Sequence, residues 1–112
     1  MTMTKRMLIA VAALAIFVSG NVAAADIEAG KKKVQEVCAA CHGIDGAAPI
    51  MAEYPKLSGQ YPDYLAKALR DYKSGARKNP IMAGFAQGLT DKDIENVAAY
   101  FSTQPSVLAT MH

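Results

Sequence analysis

Hydrophobic residues recur at intervals of three and four along three stretches of the chain, which is the spacing of one face of an α-helix. These stretches cover residues 26–42, 62–75 and 90–104. The segments between them, 43–60 and 76–88, are rich in Gly, Ala and Pro and are predicted to be loops. No alternating pattern of useful length indicates a strand. The sequence therefore predicts an all-α fold with three main helices.

Several local signals give these helices further detail. Gly30 lies on the apolar stripe of the first helix, where a missing side chain lets another helix approach closely. Thr90 and Asp93 are spaced as a capping box, and Asp63 and Lys67 as an ion pair one turn apart. The predicted apolar faces consist of Ile27, Gly30, Val34, Val37, Cys38 and Cys41; of Tyr64, Leu65, Ala68, Leu69 and Tyr72; and of Ile94, Val97, Ala98 and Phe101.

A basic pair, a short apolar run and an Ala-x-Ala site follow one another within residues 1–25, as in a secretory signal peptide. The apolar run, residues 7–18, is too short to span a bilayer comfortably, and a retained membrane anchor is the alternative. We expect cleavage after Ala25, export to the periplasm and no stable membrane insertion afterwards. The mature domain would then be residues 26–112, of which 105–112 form a loose tail.

The net charge of the chain does not alter the predicted fold, but it bears on which functions are expected. Lys and Arg number 12 against 10 Asp and Glu, and Lys5 and Arg6 in the predicted signal account for the excess. The mature domain is therefore balanced in charge, which disfavours nucleic-acid binding. It contains no catalytic acid–base pair, nucleophile or phosphate loop, so a stand-alone enzyme is not expected.

The strongest chemical signal is the sequence Cys38-Ala39-Ala40-Cys41-His42. Cys-x-x-Cys-His is the attachment signature of a c-type haem. On a helical turn, both thiols can reach one edge of a porphyrin and form thioethers, while His42 turns its imidazole onto the iron. We expect one covalently attached haem c. Covalent attachment in bacteria takes place outside the cytoplasmic membrane, which agrees with export.

Three other interpretations compete for the same residues. A thioredoxin-type redox pair also uses Cys-x-x-Cys, but it follows a strand, and no strand pattern precedes Cys38. A zinc site needs a second pair of ligands, and the chain offers none. A plain structural disulfide gives His42 no role.

An electron-transfer haem needs a second axial ligand besides His42. Met82 lies 40 residues further on, in the predicted loop 76–88, and such a loop can cross to the opposite haem face. Met51 is only nine residues from His42, which makes that crossing hard. Met82 is therefore the predicted ligand. The alternatives are Met51, Met111, His112, a lysine or an open sixth site.

Taken together, the chain resembles the class I c-type cytochromes, small bacterial haem proteins, and is similar to one half of the dihaem members of that class. Beyond the haem motif, the resemblance lies in Gly30 with Val34, in Pro55-Lys56-Leu57-Ser58-Gly59, in Asn79-Pro80-Ile81-Met82 and in Val97-Ala98-Ala99-Tyr100. It implies a small cytochrome c fold whose three main helices wrap around the haem. It further implies that the Pro55 carbonyl orients His42 and that Tyr100 lies where the first and last helices cross.

The resemblance implies a periplasmic monohaem electron carrier between a donor dehydrogenase or complex and a terminal oxidase or reductase. We expect its redox protein partners to dock transiently. The basic run Lys67, Arg70, Lys73, Arg77 and Lys78 can meet an acidic patch or be an ordinary solvated face. Two alternatives stay open: the cytochrome subunit of a multi-subunit dehydrogenase, and a haem sensor with an open sixth site.

Overall fold

A computed structural model describes residues 24–106, and this part of the chain is helical without strands. Most of the predicted signal peptide and most of the predicted tail lie outside the described residues. No helix within 24–106 combines the length and the apolar content needed to cross a membrane. The helices are α1 Ile27–Val37, α2 Ala39–His42, α3 Pro62–Ser74, α4 Pro80–Gln87 and α5 Asp91–Thr103.

The first predicted helix is divided into two. Asp26 caps α1 by accepting a hydrogen bond from the backbone N–H of Ala29, 3.0 Å long. The helix ends at Val37 because Cys38 adopts φ −109°, well away from the helical value. A second short helix, α2, then leads from Ala39 to His42. The predicted helical segment from Asp26 toward His42 is therefore confirmed, but it consists of two helices.

The third and fifth helices agree with the sequence pattern. α3 begins with Pro62 and ends before Gly75, which has φ 86°. α5 begins with the predicted capping box, in which the Thr90 hydroxyl accepts from the N–H of Asp93 and the Asp93 carboxylate accepts from the N–H of Thr90. The ion pair on α3 differs from the prediction. Lys67 pairs with Asp71, one turn after it, and not with Asp63.

The prediction of a loop over 76–88 is wrong, because residues 80–87 form α4. The Asn79 carboxamide oxygen accepts from the N–H groups of Ile81 and Met82, at 3.0 and 3.1 Å, and Pro80 takes the first helical position. Proline at that position loses no hydrogen bond, since the first N–H groups of a helix have no partner within it. The pair Asn79-Pro80 therefore starts a helix.

The core of the domain lies where α1 crosses α5. Val34 and Ile94 are completely buried and Phe101 nearly so, and each such side chain stabilises the fold by about 1.5–3 kcal/mol. The crossing depends on Gly30, as predicted. A β-carbon there would lie 2.0 Å from the backbone oxygen of Asn96 and 3.2 Å from Cβ of Tyr100. This packing places the end of α1, and with it the Cys-x-x-Cys-His segment, against the middle of the domain.

Candidate haem site

His42 is the last residue of α2, and its ring is held by a carbonyl group from the loop that follows. Its Nδ1 lies 2.9 Å from the backbone oxygen of Pro55, and the side chain is only 7 % exposed. A carbonyl oxygen can only accept a hydrogen bond, so the Nδ1–H donates. The other ring nitrogen, Nε2, is left with its lone pair for a metal.

The loop 43–60 is itself fixed to the helices around it. Gly43, with φ 85°, turns the chain back directly after His42. The N–H of Leu57 donates to the oxygen of Gly46 at 2.8 Å. The hydroxyl of Tyr100, on α5, donates to the oxygen of Ile44 at 2.8 Å. These bonds hold the loop, and therefore the Pro55 carbonyl, in a defined place beside α2.

The two cysteines are free thiols, half-buried, and both line the same cavity as His42. Burial raises the pKa of the Cys38 thiol to about 11, although the nearby Lys33 ammonium lowers it. Redox-active Cys-x-x-Cys pairs depend on a lowered pKa and a thiolate. No strand precedes the pair within residues 24–106 either, so neither the setting nor the raised pKa of Cys38 is typical of a thioredoxin-type site. Residues 24–106 contain no group of three His, Cys, Asp or Glu side chains that could hold a metal ion.

The cavity has a volume of about 260 Å³, just below the range of about 300–1,000 Å³ that is typical of cofactor sites. Its walls are mostly apolar and come from every helix of the described chain. The predicted apolar face of α3 turns out to be one of these walls, which explains why Tyr64 is 53 % exposed to solvent in the structure. The wall residues from α3 are Tyr64, Leu65, Ala68, Leu69 and Tyr72.

Met82 lies in the first turn of α4, half-buried, and lines the cavity together with Cys38, Cys41 and His42. Met51, the nearer alternative, is 49 % exposed and is not part of the cavity wall. Met111 and His112 lie outside the described residues. Of the two methionines within residues 24–106, the structure therefore places Met82 at the cavity and Met51 outside it.

Sequence reasoning missed several residues of this site. Ile81 and Phe85 also line the cavity from α4, although both are largely exposed. The ring of Tyr54 lies 6.2 Å from that of His42, and Tyr54 lines the cavity, whereas Tyr61 is 79 % exposed and does not. The spacing of Ile81 and Phe85, four residues apart, was the signal that could have revealed a cavity-facing helix.

Comparisons with known proteins now place this arrangement in a family. A model of the cytochrome c family matches residues 27–105. The chain belongs to the cytochrome c family. Cytochrome c4 of Stutzerimonas stutzeri is 47 % identical over 91 residues, a match that covers 73 % of this chain and 42 % of that protein. Cytochrome c-554(548) of Halomonas halodenitrificans is 45 % identical over 86 residues, covering 72 % of this chain and 99 % of that protein.

The solved structures give the same result for the fold. The crystal structure of reduced cytochrome c4 from Pseudomonas stutzeri has a TM-score of 0.67 and 45 % identity, and the match covers 73 % of this chain and 47 % of that one. The chain thus spans about half the length of the cytochrome c4 proteins that it matches. A further relative, a cytochrome subunit of sulfide dehydrogenase from Chlorobaculum tepidum, is 39 % identical over 64 residues, or 57 % of this chain and 56 % of that protein.

Membership of the family establishes covalently bound haem c as the cofactor of this cytochrome c domain. The residues of the cavity fit that group. Its walls are apolar, two unpaired thiols stand at Cys-x-x-Cys spacing, and the adjacent imidazole keeps Nε2 available as a ligand. A thioether sulfur, that of Met82, belongs to the same cavity.

Proposed function

We propose that the domain is a periplasmic monohaem electron carrier in which Cys38 and Cys41 anchor the haem and His42 and Met82 bind its iron. One observation carries this proposal: all four side chains line a single, mostly apolar cavity. They reach it from different parts of the chain, the first three from the α1–α2 segment and Met82 from α4. The set contains every ligand type that such a haem needs.

Each residue has a distinct role in this proposal. The two thioethers would attach the haem covalently, so that it cannot dissociate from the protein during electron transfer. The Pro55 carbonyl accepts the proton of Nδ1 and thereby orients the His42 ring and raises the basicity of Nε2. A methionine thioether in the remaining axial position favours the reduced state compared with a second nitrogen ligand.

Bound haem supplies a reversible one-electron couple at its iron. With His42 and Met82 as its ligands, the iron would have no position left for a substrate, and the protein would be restricted to outer-sphere electron transfer. Apolar side chains such as Leu65, Val97 and Phe101 keep water away from the buried side of the cavity. Ile81 and Phe85, which are exposed at the cavity, offer an apolar surface to a redox partner.

Transient docking would depend on fewer cations than the sequence suggested. Lys67 pairs with Asp71, and Arg70 lies 3.6 Å from Glu95. Lys73 donates to a backbone oxygen. Arg77, which lines the cavity and lies over the ring of Tyr72, and the exposed Lys78 next to it are the cations left near α4. We expect these two to steer an acidic partner, so neutralising both should flatten the salt dependence of electron transfer.

The test is the optical spectrum of the haem-loaded protein, for the wild type, Met82→Ala and Met51→Ala. A ferric iron bound to a thioether sulfur shows a weak far-red band. We expect the band in the wild type and in Met51→Ala, and its loss in Met82→Ala. A wild type without the band, whose reduced form binds carbon monoxide at once, would replace the carrier by the sensor with an open sixth site.

A second function has specific support. One relative is named a cytochrome subunit of sulfide dehydrogenase, and this favours a role as the cytochrome subunit of a multi-subunit dehydrogenase. Purification from the periplasm separates the two functions. A free carrier elutes alone and exchanges electrons at rates that fall with salt, whereas a subunit elutes with its catalytic partner.

A further inference from the structure

Helix α4, which presents Met82, is short and packs within the protein against α3. It spans eight residues, and isolated helices shorter than about 12 residues are marginal in water. Ala86 is its one buried residue, and a β-carbon at Gly84 would meet no atom within 4 Å. Ile81 and Phe85 are exposed. Ile81, Met82 and Phe85 line the cavity, so bound haem would cover this face, and the protein itself holds the helix through Ala86, through contact with α3 and through the two ends of the helix.

The start of α4 is held by its own cap and by the connection that leads from α3. The Asn79 side chain accepts from the N–H groups of Ile81 and Met82. This cap defines the first turn, but Asn79 is itself exposed and belongs to the connection between α3 and α4. The cap shapes the turn that contains Met82. Just before it, Arg77 connects the chain to α3, because its N–H donates to the backbone oxygen of Asp71 at 3.1 Å and its guanidinium lies over the ring of Tyr72.

The end of α4 is hydrogen-bonded to α3 through both the backbone and the side chain of Lys73. The Gln87 side-chain amide donates to the backbone oxygen of Lys73 at 2.7 Å. The Lys73 ammonium donates to the backbone oxygen of Leu89, just after α4. These bonds span 14 and 16 residues, and Lys73 is half-buried between the elements that it joins. We call this pair of bonds the Lys73 clip.

We propose that the Lys73 clip holds Met82 at the cavity, so that Lys73 and Gln87 are positioning residues for the sixth ligand of the haem iron. This inference rests on the proposed ligation by Met82. Loss of either bond weakens the connection between the end of α4 and α3, and Met82 is then displaced from the cavity more often. The conclusion also removes Lys73 from the docking surface, because its ammonium is engaged within the domain.

The experiment compares variants of the haem-loaded protein. Lys73→Met and Gln87→Met remove a donor at nearly constant volume. Lys67→Met is the matched control, because it removes the same charge from the same helix, where Lys67 pairs with Asp71 in solvent. Lys73→Arg keeps the charge and the donors. The readouts are the ferric thioether band and the rate at which the reduced protein binds carbon monoxide, which needs a displaced Met82.

We expect Lys73→Met and Gln87→Met to bind carbon monoxide roughly tenfold faster than the wild type, a change of about 1.4 kcal/mol in the displacement equilibrium. The thioether band should weaken in both. Lys67→Met should behave as the wild type, and Lys73→Arg should retain most of the band. Gln87 is exposed, so its replacement leaves the core intact.

Two outcomes would overturn the inference, and they are distinguishable. If Lys73→Met and Gln87→Met lose stability but bind carbon monoxide as slowly as Lys67→Met, the clip supports the fold and does not position the ligand. If the wild type itself has no thioether band, Met82 is not the ligand, and the proposed function and the inference fail together.

Discussion

The two sides of the cavity are built in different ways. On the side of His42, the ligand is buried, its ring is held by the Pro55 carbonyl, and the supporting loop is bonded to α5 through Tyr100. On the side of Met82, a helix of eight residues carries the ligand with one buried residue, Ala86, and connections at its two ends. The first support is distributed over the core, whereas the second is local.

This difference indicates how each side should respond to mutation. A change on the His42 side disturbs packing that the whole domain shares, so it should cost stability. A change on the Met82 side should alter ligation while the fold persists. On the proposed ligation, such a domain would keep its haem firmly attached while the contact of Met82 with the iron stays adjustable.

The largest expected effect is that of Gly30→Ala. The new β-carbon would lie 2.0 Å from the backbone oxygen of Asn96, and separating α1 from α5 should cost about 3 kcal/mol or more. Gly84→Ala on α4 is the matched control, since a β-carbon there meets nothing within 4 Å. It should stabilise the protein by about 0.5–1 kcal/mol through helix propensity. Urea unfolding measures both, and equal effects would refute the contrast between the two sides.

A smaller loss is expected for Tyr100→Phe. The variant keeps the ring in the core but removes the hydroxyl that donates to the oxygen of Ile44. The lost hydrogen bond should cost about 1 kcal/mol, and the far-red thioether band should be unchanged because α4 is not involved. A variant that lost the band at wild-type stability would show that the two sides are coupled more closely than the structure indicates.

The smallest effect concerns Asp93, at the start of α5. The backbone N–H of Thr90 lowers the pKa of this carboxyl, assisted by its hydroxyl and by Lys33 and Lys73, against the opposing effect of burial. A lowered pKa stabilises the fold above the unfolded value of about 3.9, and this contribution is lost as the pH falls through the folded value. Asp93→Asn should therefore cost about 0.5 kcal/mol at pH 7, the typical size for a carboxylate near a helix N-terminus.

The control for this prediction is to measure the stability of both proteins as a function of pH. Unfolding free energies of the wild type and Asp93→Asn should converge as the pH falls below about 3.9. A difference that stays constant down to acid pH would mean that the carboxylate charge contributes nothing.

The sequence contained enough information for the parts of the fold that local rules govern. The capping box of Thr90 and Asp93 follows from residue types three positions apart, and the inward face of α5 follows from helical periodicity. The need for Gly30 could be inferred from its place on an apolar stripe. The His42–Pro55 contact came from the family resemblance, because nothing local indicates which carbonyl lies near the ring.

Other features depended on long-range packing or on the cofactor. α4 was missed because Ile81, Met82 and Phe85 face a cavity and not a protein core, although Asn79-Pro80 was a start signal for a helix. The bond between Tyr100 and Ile44 spans 56 residues, so no spacing rule predicts it. Lys73 was grouped with surface cations because its partner is a backbone oxygen, which the sequence does not reveal.

The hydrogen bond between Nδ1 of His42 and the oxygen of Pro55 also has a consequence for the order of assembly. It closes a loop of 13 residues, whereas the bond from the N–H of Asp26 to the side chain of Asn96 closes one of 70. Closing the longer loop costs about 1.5 kcal/mol more in chain entropy. We therefore expect the bond between His42 and Pro55 to form while α1 and α5 are still apart. The two thiols would then be accessible in a partly folded chain and become enclosed only when α1 packs against α5.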